Sequence, residues 1–535
     1  MNNEIETFDY IIVGGGSGGC TVASRLSENP KTSVCLLEAG GDGTSVMIRM
    51  PSAVAAILPR PILNWAFETE PQAGLNGRKG FQPRGKSLGG SSAINAMLYI
   101  RGHSSDYDHW KELGNKSWGW DDVLPFFKRS ENNERGGGEL HGVGGPLNVA
   151  DQVSPRSISA AFIKAGEETQ YPVNADFNGQ KQAGFGMYQV TQKDGERHSA
   201  AAAYIHPVMD RNNLTVKTNA LAHRIIIEDN QAVGVAFEQN GKLQEIRARG
   251  EVILAGGAFA SPQLLMLSGI GPGDRLRNQG IEVKHNLPGV GQNLQDHIDY
   301  VSAYKSPSRD LFGLSLAGGA SLVKSIFEWR NNRTGMLTSP FAEAGAFIKS
   351  DPLLDRPDLQ MHFVVGIVDD HSRKLHLGHG FSCHICVLRP KSRGSVELAT
   401  ADVSRPPKID MGFFSNEEDL DLMVKGFCIM RQVLEAPALD AWRGKELYTE
   451  NVHSDQDIRA MIRQRADTVY HPVGTCKMGS GDMAVVDDQL RVHGVKNLRI
   501  ADASIMPTLI GGNTNAPTIM IGEKCAEMIR KSKPG

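Results

Sequence analysis

Apolar positions near the start of the chain change period twice before residue 40. Phe8-Asp9-Tyr10-Ile11-Ile12-Val13 is a β-type run, and Cys20, Val22, Ala23 and Leu26 then follow the spacing of one buried helix face. Ser33-Val34-Cys35-Leu36-Leu37 returns to a strand. Between the first strand and the helix lie Gly14-Gly15-Gly16-Ser17-Gly18-Gly19. A strand, a glycine turn and a helix N-terminus in that order offer bare N–H groups to a pyrophosphate. Glu38 stands about twenty residues further on, where an acid can take the ribose hydroxyls. Ala39-Gly40-Gly41 follows in place of an Arg that would suit a 2′-phosphate, so the pattern predicts an unphosphorylated adenosine, in FAD or NAD.

The same reading finds strands at Leu214-Thr215-Val216-Lys217, Glu251-Val252-Ile253-Leu254-Ala255 and Leu498-Arg499-Ile500-Ala501, and a helix closing the chain. Residues 300–465 differ: strand-like runs (Asp358 to Val368, Phe381 to Leu388) alternate with helical ones (Asn416 to Leu434). The layout predicts an α/β protein. A Rossmann-like domain is assembled from residues 1–150, 213–299 and 466–535, and an α+β domain with an antiparallel sheet is interleaved as 151–212 and 300–465. Cys383 and Cys386 read as CxxC, but strand residues three apart face opposite ways, which argues against a redox dithiol or a metal site. No metal-ligating set is assigned.

Two further glycine-rich elements follow. In Gly85-Lys86-Ser87-Leu88-Gly89-Gly90-Ser91-Ser92-Ala93-Ile94-Asn95, the glycines allow close backbone approach, and Ser91, Ser92 and Asn95 offer hydrogen bonds to a polar ring edge or phosphate. The apolar Ala96-Met97-Leu98-Tyr99-Ile100 after it is unlike a solvated loop. The third element, Gly256-Gly257-Ala258-Phe259-Ala260-Ser261-Pro262 through Gly271, reads as a helix capped by Ser261, with Pro262 in its first turn and a stop at Gly269.

Hydrophobic residues make up 40% of the 535 positions and charged residues 22%, ordinary for a globular chain. A net charge of −3 argues against nucleic acid as a partner. Seven cysteines, an odd number, fit a reducing compartment better than a disulfide framework. No apolar window approaches the ~20 residues of a spanning helix. The acidic opening, Met1 to Glu6, is no signal peptide. The expected location is cytoplasmic, or peripheral on a membrane.

The second and third elements resemble the two signatures of the glucose–methanol–choline (GMC) flavoprotein oxidoreductases. Tyr470-His471-Pro472-Val473-Gly474-Thr475-Cys476, Asp502-Ala503-Ser504-Ile505-Met506-Pro507 and Asn513-Thr514-Asn515-Ala516-Pro517-Thr518 also resemble that family, in its choline-dehydrogenase-like alcohol dehydrogenase branch. The resemblance implies FAD, with His471 as catalytic histidine and Asn515 as its partner. It places FAD contacts at Gly14, Gly16, Ser17, Gly19, Glu38 and Ala39, and at Trp65, Arg84, Gly85, Leu88, Gly90, Ser91, Asn95, Ala96, Met97 and Leu98. Further contacts are Leu221, Ala255, Asp502, Ala503, Asn515 and Thr518. Some members attach FAD through a histidine where this chain has Ile94, so non-covalent FAD is expected.

Chemically, a histidine suits removal of an alcohol proton near neutral pH, and an Asn can donate to the developing alkoxide. The expected substrate is a primary alcohol (long-chain, aryl, polyether or choline), with a quinone-like or other non-NAD acceptor. An O2-using alcohol oxidase and a redox-silent hydroxynitrile lyase are the alternatives. Glu343 could meet a quaternary ammonium but is read as a structural salt bridge, and Tyr470 and Val469 as neighbours of the flavin pocket.

Overall fold

A computed structural model describes residues 5–532. Residues 1–4, part of the stretch read as no signal peptide, lie outside the described residues. The first sheet runs in the order Leu214–Lys217, Val34–Leu37, Thr7–Val13, Lys242–Leu254, Gln231–Gln239, Ala220–Glu228, with Leu498–Ile500 added beside Lys242–Leu254. Its core pairs are parallel. Ile11, Ile12 and all of Val34–Leu37 are buried, because parallel strands covered on both faces must be apolar throughout.

The far edge is an antiparallel meander that the sequence reading missed. Its turns hold consecutive left-handed residues, Asp229-Asn230 and Asn240-Gly241. Asn-Gly between alternating runs is a strong hairpin signal, and it was available in the sequence.

The first helix, Ser17–Leu26, lies against the last, Asn515–Ser532. Gly522 allows this approach, since a Cβ there would stand 2.8 Å from Gly18 O and from Thr21 Cβ. Fully buried Glu523 accepts hydrogen bonds from Arg25, Arg129 and Tyr204, which pins the chain's last helix to its first.

The third glycine element differs from expectation. Its helix is Gly257–Leu267, so Pro262 sits inside it and Ser261 is no cap. Ser261 Oγ instead accepts from Gly256 N–H and donates to Asp502 Oδ2 at 2.6 Å. Proline leaves the carbonyl four residues back, that of Ala258, without its helical donor. Thr475 Oγ1 fills the gap at 2.6 Å.

The second sheet is antiparallel, in the order Asp467–Thr468, Ile298–Ser306, Gly378–Val387, Leu359–Val364, Ala342–Ile348, Gly184–Met187. Asp467–Thr468 opens the segment read as the third nucleotide block, yet it pairs on this sheet's edge. The helix Glu417–Leu434, capped by Asn416, packs its Met423, Phe427 and Met430 with Met361, Phe363, Cys383 and Ile385 in one core. His362, Val364 and His384 alternate with these and line a cavity on the other face. Cys386 joins a different core from Cys383, so the CxxC pair is split across the sheet as its period requires. Among the described residues no helix is long and apolar enough to cross a membrane.

Candidate active site

One cavity of about 1150 Å³ runs along the seam between the two sheets. All of the predicted site residues line it except Gly19 and Leu88. Those two stand behind the wall. A Cβ on Gly19 would lie 1.9 Å from Gly14 O, and Leu88 packs under Gly15, so both support the shape of the turn.

At one end, Gly14 takes φ +102° and lies so close to Ala255 that a Cβ would stand 2.5 Å from its carbonyl oxygen. Gly16 caps the first helix with no side-chain bond, which leaves the first-turn N–H groups facing the cavity. Glu38 accepts from Gly15 N–H at 2.9 Å and Gly40 N–H at 2.7 Å. Burial raises its pKa to about 7, against these lowering hydrogen bonds. Gly90 rests on Gly16, where a Cβ would meet Gly16 Cα at 2.7 Å. Arg84 donates through Nη1 to Tyr470 O at 3.0 Å, while its buried Nε and Nη2 have no protein partner. An acid for a ribose, bare N–H groups at a helix end and unpaired arginine donors together fit a dinucleotide with a polar ring. The residues present therefore fit FAD.

His471 lies at the other end. Asp296 accepts from its main-chain N–H at 2.8 Å, and also from Thr468 Oγ1, which in turn accepts from Tyr470 N–H at 2.6 Å. Tyr470 holds φ +75°, and its hydroxyl meets His371 Nδ1 at 2.6 Å. His471 Nδ1 faces His297 Nδ1 at 2.9 Å, and its Nε2 meets Asn513 Nδ2 at 3.1 Å. Burial above all, then the neighbouring His297 and His362, pushes the His471 pKa well below its usual value.

This geometry corrects the expected pairing. The partner of His471 is Asn513, two residues before Asn515 in the same motif. Asn515 begins the last helix, and its Oδ1 accepts from Ser17 Oγ at 2.7 Å. The sequence reading also missed His297, Asp296 and His362. The first two sit in Asn293-Leu294-Gln295-Asp296-His297, a polar cluster that signals its importance only by its density. His362 is buried beside Asn513, and burial above all lowers its pKa to about 3.

Glu343 is structural, though not through a salt bridge. It is fully buried away from the cavity and accepts from Ser159 Oγ, Ser339 Oγ and the Arg156 main-chain N–H. Trp65, Val469 and Tyr470 line the cavity as expected, and Ile94 does so too.

Residues 8–299 and 390–522 match the N- and C-terminal family models described as GMC oxidoreductase. The chain belongs to this family of flavoprotein oxidoreductases. It is 47% identical over 526 residues to an alcohol dehydrogenase [acceptor] of Pseudomonas putida, covering 98% of this chain and 95% of that one. It is 41% identical over 536 residues to an oxygen-dependent choline dehydrogenase of Rhizobium johnstonii, covering 98% and 96%. The crystal structure of pyridoxine 4-oxidase from Mesorbium loti superposes with a TM-score of 0.89 at 32% identity, covering 98% of this chain and all of that one.

Proposed function

We propose that this protein oxidises a primary alcohol to an aldehyde with non-covalently bound FAD, His471 taking the hydroxyl proton. The observation that carries this is His471 buried on the cavity wall between Asn513 and His297, where burial favours its neutral form. When bound, FAD supplies the two-electron acceptor for the hydride leaving the alcohol's α-carbon.

The chain's own residues do the rest. Glu38 and the glycine turn hold the adenosine half, and Arg84 offers donors deeper in the cavity. The N-terminus of the last helix, at Asn515, favours negative charge gathering on the reduced ring. The alcohol oxygen is held near His471 Nε2 by Asn513, whose amide donates there, and by the ring of His362. Phe312, Phe341, Val364 and Ile367 line the neighbouring wall, which suits an apolar alcohol and excludes water. With Glu343 outside the cavity, no carboxylate at that position awaits a quaternary ammonium, so a long-chain, aromatic or polyether alcohol is the preferred class.

Similarity to an alcohol dehydrogenase [acceptor] supports an electron acceptor distinct from the alcohol; a quinone-like or other non-NAD acceptor, and a cytoplasmic or peripheral membrane location, are part of the proposal. The domain division given above is part of the same proposal. A second reading, an O2-using oxidase, is favoured by the likeness to pyridoxine 4-oxidase.

Anaerobic bleaching of the flavin by octanol, benzyl alcohol, tetraethylene glycol and choline tests the activity. No bleaching by any of them, with cyanide released from a cyanohydrin, would favour the lyase. Hydrogen peroxide formed in air, against turnover only with an artificial acceptor, separates oxidase from dehydrogenase. Colour left on the protein after acid precipitation would refute non-covalent binding.

A further inference from the structure

Two backbone carbonyls converge on one nitrogen of His297: Leu388 O at 2.9 Å and Ile510 O at 3.1 Å from Nε2. A carbonyl oxygen can only accept, so Nε2 carries a proton. Burial keeps the ring neutral by penalising its charged form, and its pKa falls to about 4. A neutral imidazole protonated at Nε2 has a bare lone pair at Nδ1. That lone pair faces His471 Nδ1 at 2.9 Å, with the two rings perpendicular. Two bare nitrogens at this separation would repel, so the hydrogen between them belongs to His471 Nδ1. The lone pair of His471 is then at Nε2.

The opposite side agrees. Asn513 Oδ1 accepts from Gln360 Nε2 at 3.1 Å, which turns the Asn513 amide nitrogen toward His471 Nε2. An N–H meets a lone pair there.

We propose that His297 is a positioning residue that holds His471 in the Nδ1-protonated tautomer, so that His471 Nε2 is the atom that accepts the alcohol proton. The inference rests on the reading of His471 as base. In the step, the alcohol hydroxyl takes the place of the Asn513 N–H at His471 Nε2, the O–H bond breaks, and its electron pair stays on oxygen, where the freed Asn513 N–H can donate. The proton bonds to Nε2, and the resulting imidazolium keeps its Nδ1–H on His297. No proton leaves His297. The charged and titratable groups facing the pair are few. His297, His362 and Arg84 act on His471, Asp296 accepts from its main chain, and Arg389 and Asp106 act on His297.

Two substitutions separate this role from packing. In His297→Asn the amide oxygen can stand near the place of Nδ1 and still accept from His471. In His297→Gln the amide nitrogen can stand near the place of Nε2 and satisfy the carbonyls, while the acceptor is lost. The FAD-loaded enzyme is labelled with 15N-histidine, and His471 is assigned by the signals missing from His471→Gln. The expected wild-type spectrum shows protonated Nδ1 and bare Nε2. His297→Asn should keep that tautomer and stay within about tenfold of the wild-type anaerobic flavin reduction rate. His297→Gln should lose the tautomer and fall about 10²-fold or more, the scale of a lost general base, with FAD content unchanged.

A wild-type His471 protonated at Nε2 overturns the proposal, even if a variant fails to fold. So does a His297→Asn enzyme as slow as His297→Gln. If the tautomer is as stated but His471→Gln still reduces flavin at the wild-type rate, the base reading fails and the tautomer assignment stands.

Discussion

Ser17 Oγ donates to Asn515 Oδ1 at 2.7 Å, joining two helix N-termini that lie 498 residues apart in sequence. Both residues line the cavity. A helix N-terminus carries roughly half a positive charge. Two of them held at one point create a field suited to an anionic cofactor, and neither helix could supply it alone.

Asn513 and Asn515 should therefore separate by phenotype. Asn513→Ala removes the amide on His471 Nε2 and is expected to slow anaerobic flavin reduction about 10–100-fold with FAD content intact. Asn515→Ala breaks the Ser17 contact and should mainly lower FAD retention. Stopped-flow reduction beside the flavin-to-protein absorbance ratio checks both, and a reversed pattern would restore the expected Asn515 pairing.

His471→Gln should retain FAD and lose reduction by alcohol about 10²–10⁴-fold, the range of general-base contributions. A loss of FAD in proportion to activity would instead make His471 a structural residue.

Thr475→Val tests the helix that runs through Pro262. It leaves the Ala258 carbonyl buried without a donor at nearly constant shape, and should cost about 1–3 kcal/mol in chemical denaturation. A change under about 0.5 kcal/mol would mean the carbonyl finds another partner.

The buried histidines give the fold a definite acid dependence. Burial lowers the pKa of His297 to about 4 and of His362 to about 3, below the ordinary histidine value of about 6.5. Between about pH 4 and 6.5 the unfolded chain binds protons that the folded chain does not. Stability is then lost as pH falls, by at most about 1.4 kcal/mol per pH unit for each histidine. Glu38 and Asp296, both raised to about 7 by burial, act in the opposite sense: the folded chain keeps protons the unfolded chain sheds, so their contribution falls as pH rises toward 7. Replacing His362 by Asn should flatten the slope between pH 4 and 6.5, measured by denaturant unfolding at fixed excess FAD. An unchanged slope would show that His362 titrates normally in the fold.

Glu343→Gln should alter stability without altering the preference for choline over octanol, because its three hydrogen-bond donors are structural. A selective loss of choline oxidation would place the carboxylate in the substrate site after all.

Period and turn chemistry are local, and they were legible. The glycine turn, Glu38, the strand that separates Cys383 from Cys386 and the helix capped by Asn416 could all be read from spacing. The other residues named for the site came from the family resemblance of contiguous motifs rather than from spacing, and they make up only part of the cavity wall. Asn513 was within the quoted motif, but a two-residue offset cannot be settled without knowing where the last helix begins. His297 gave no sign of its partner, because 174 residues separate it from His471. The sequence by itself determined a strand–glycine turn–helix followed by an acid, the pattern that suits an adenosine, and its resemblance to the family pointed to a histidine near the C-terminus. Only the tertiary structure decided which asparagine and which second histidine hold that imidazole. Hydrogen bonds across the seam of two sheets depend on where distant strands end, and no local pattern of apolar and polar residues encodes that.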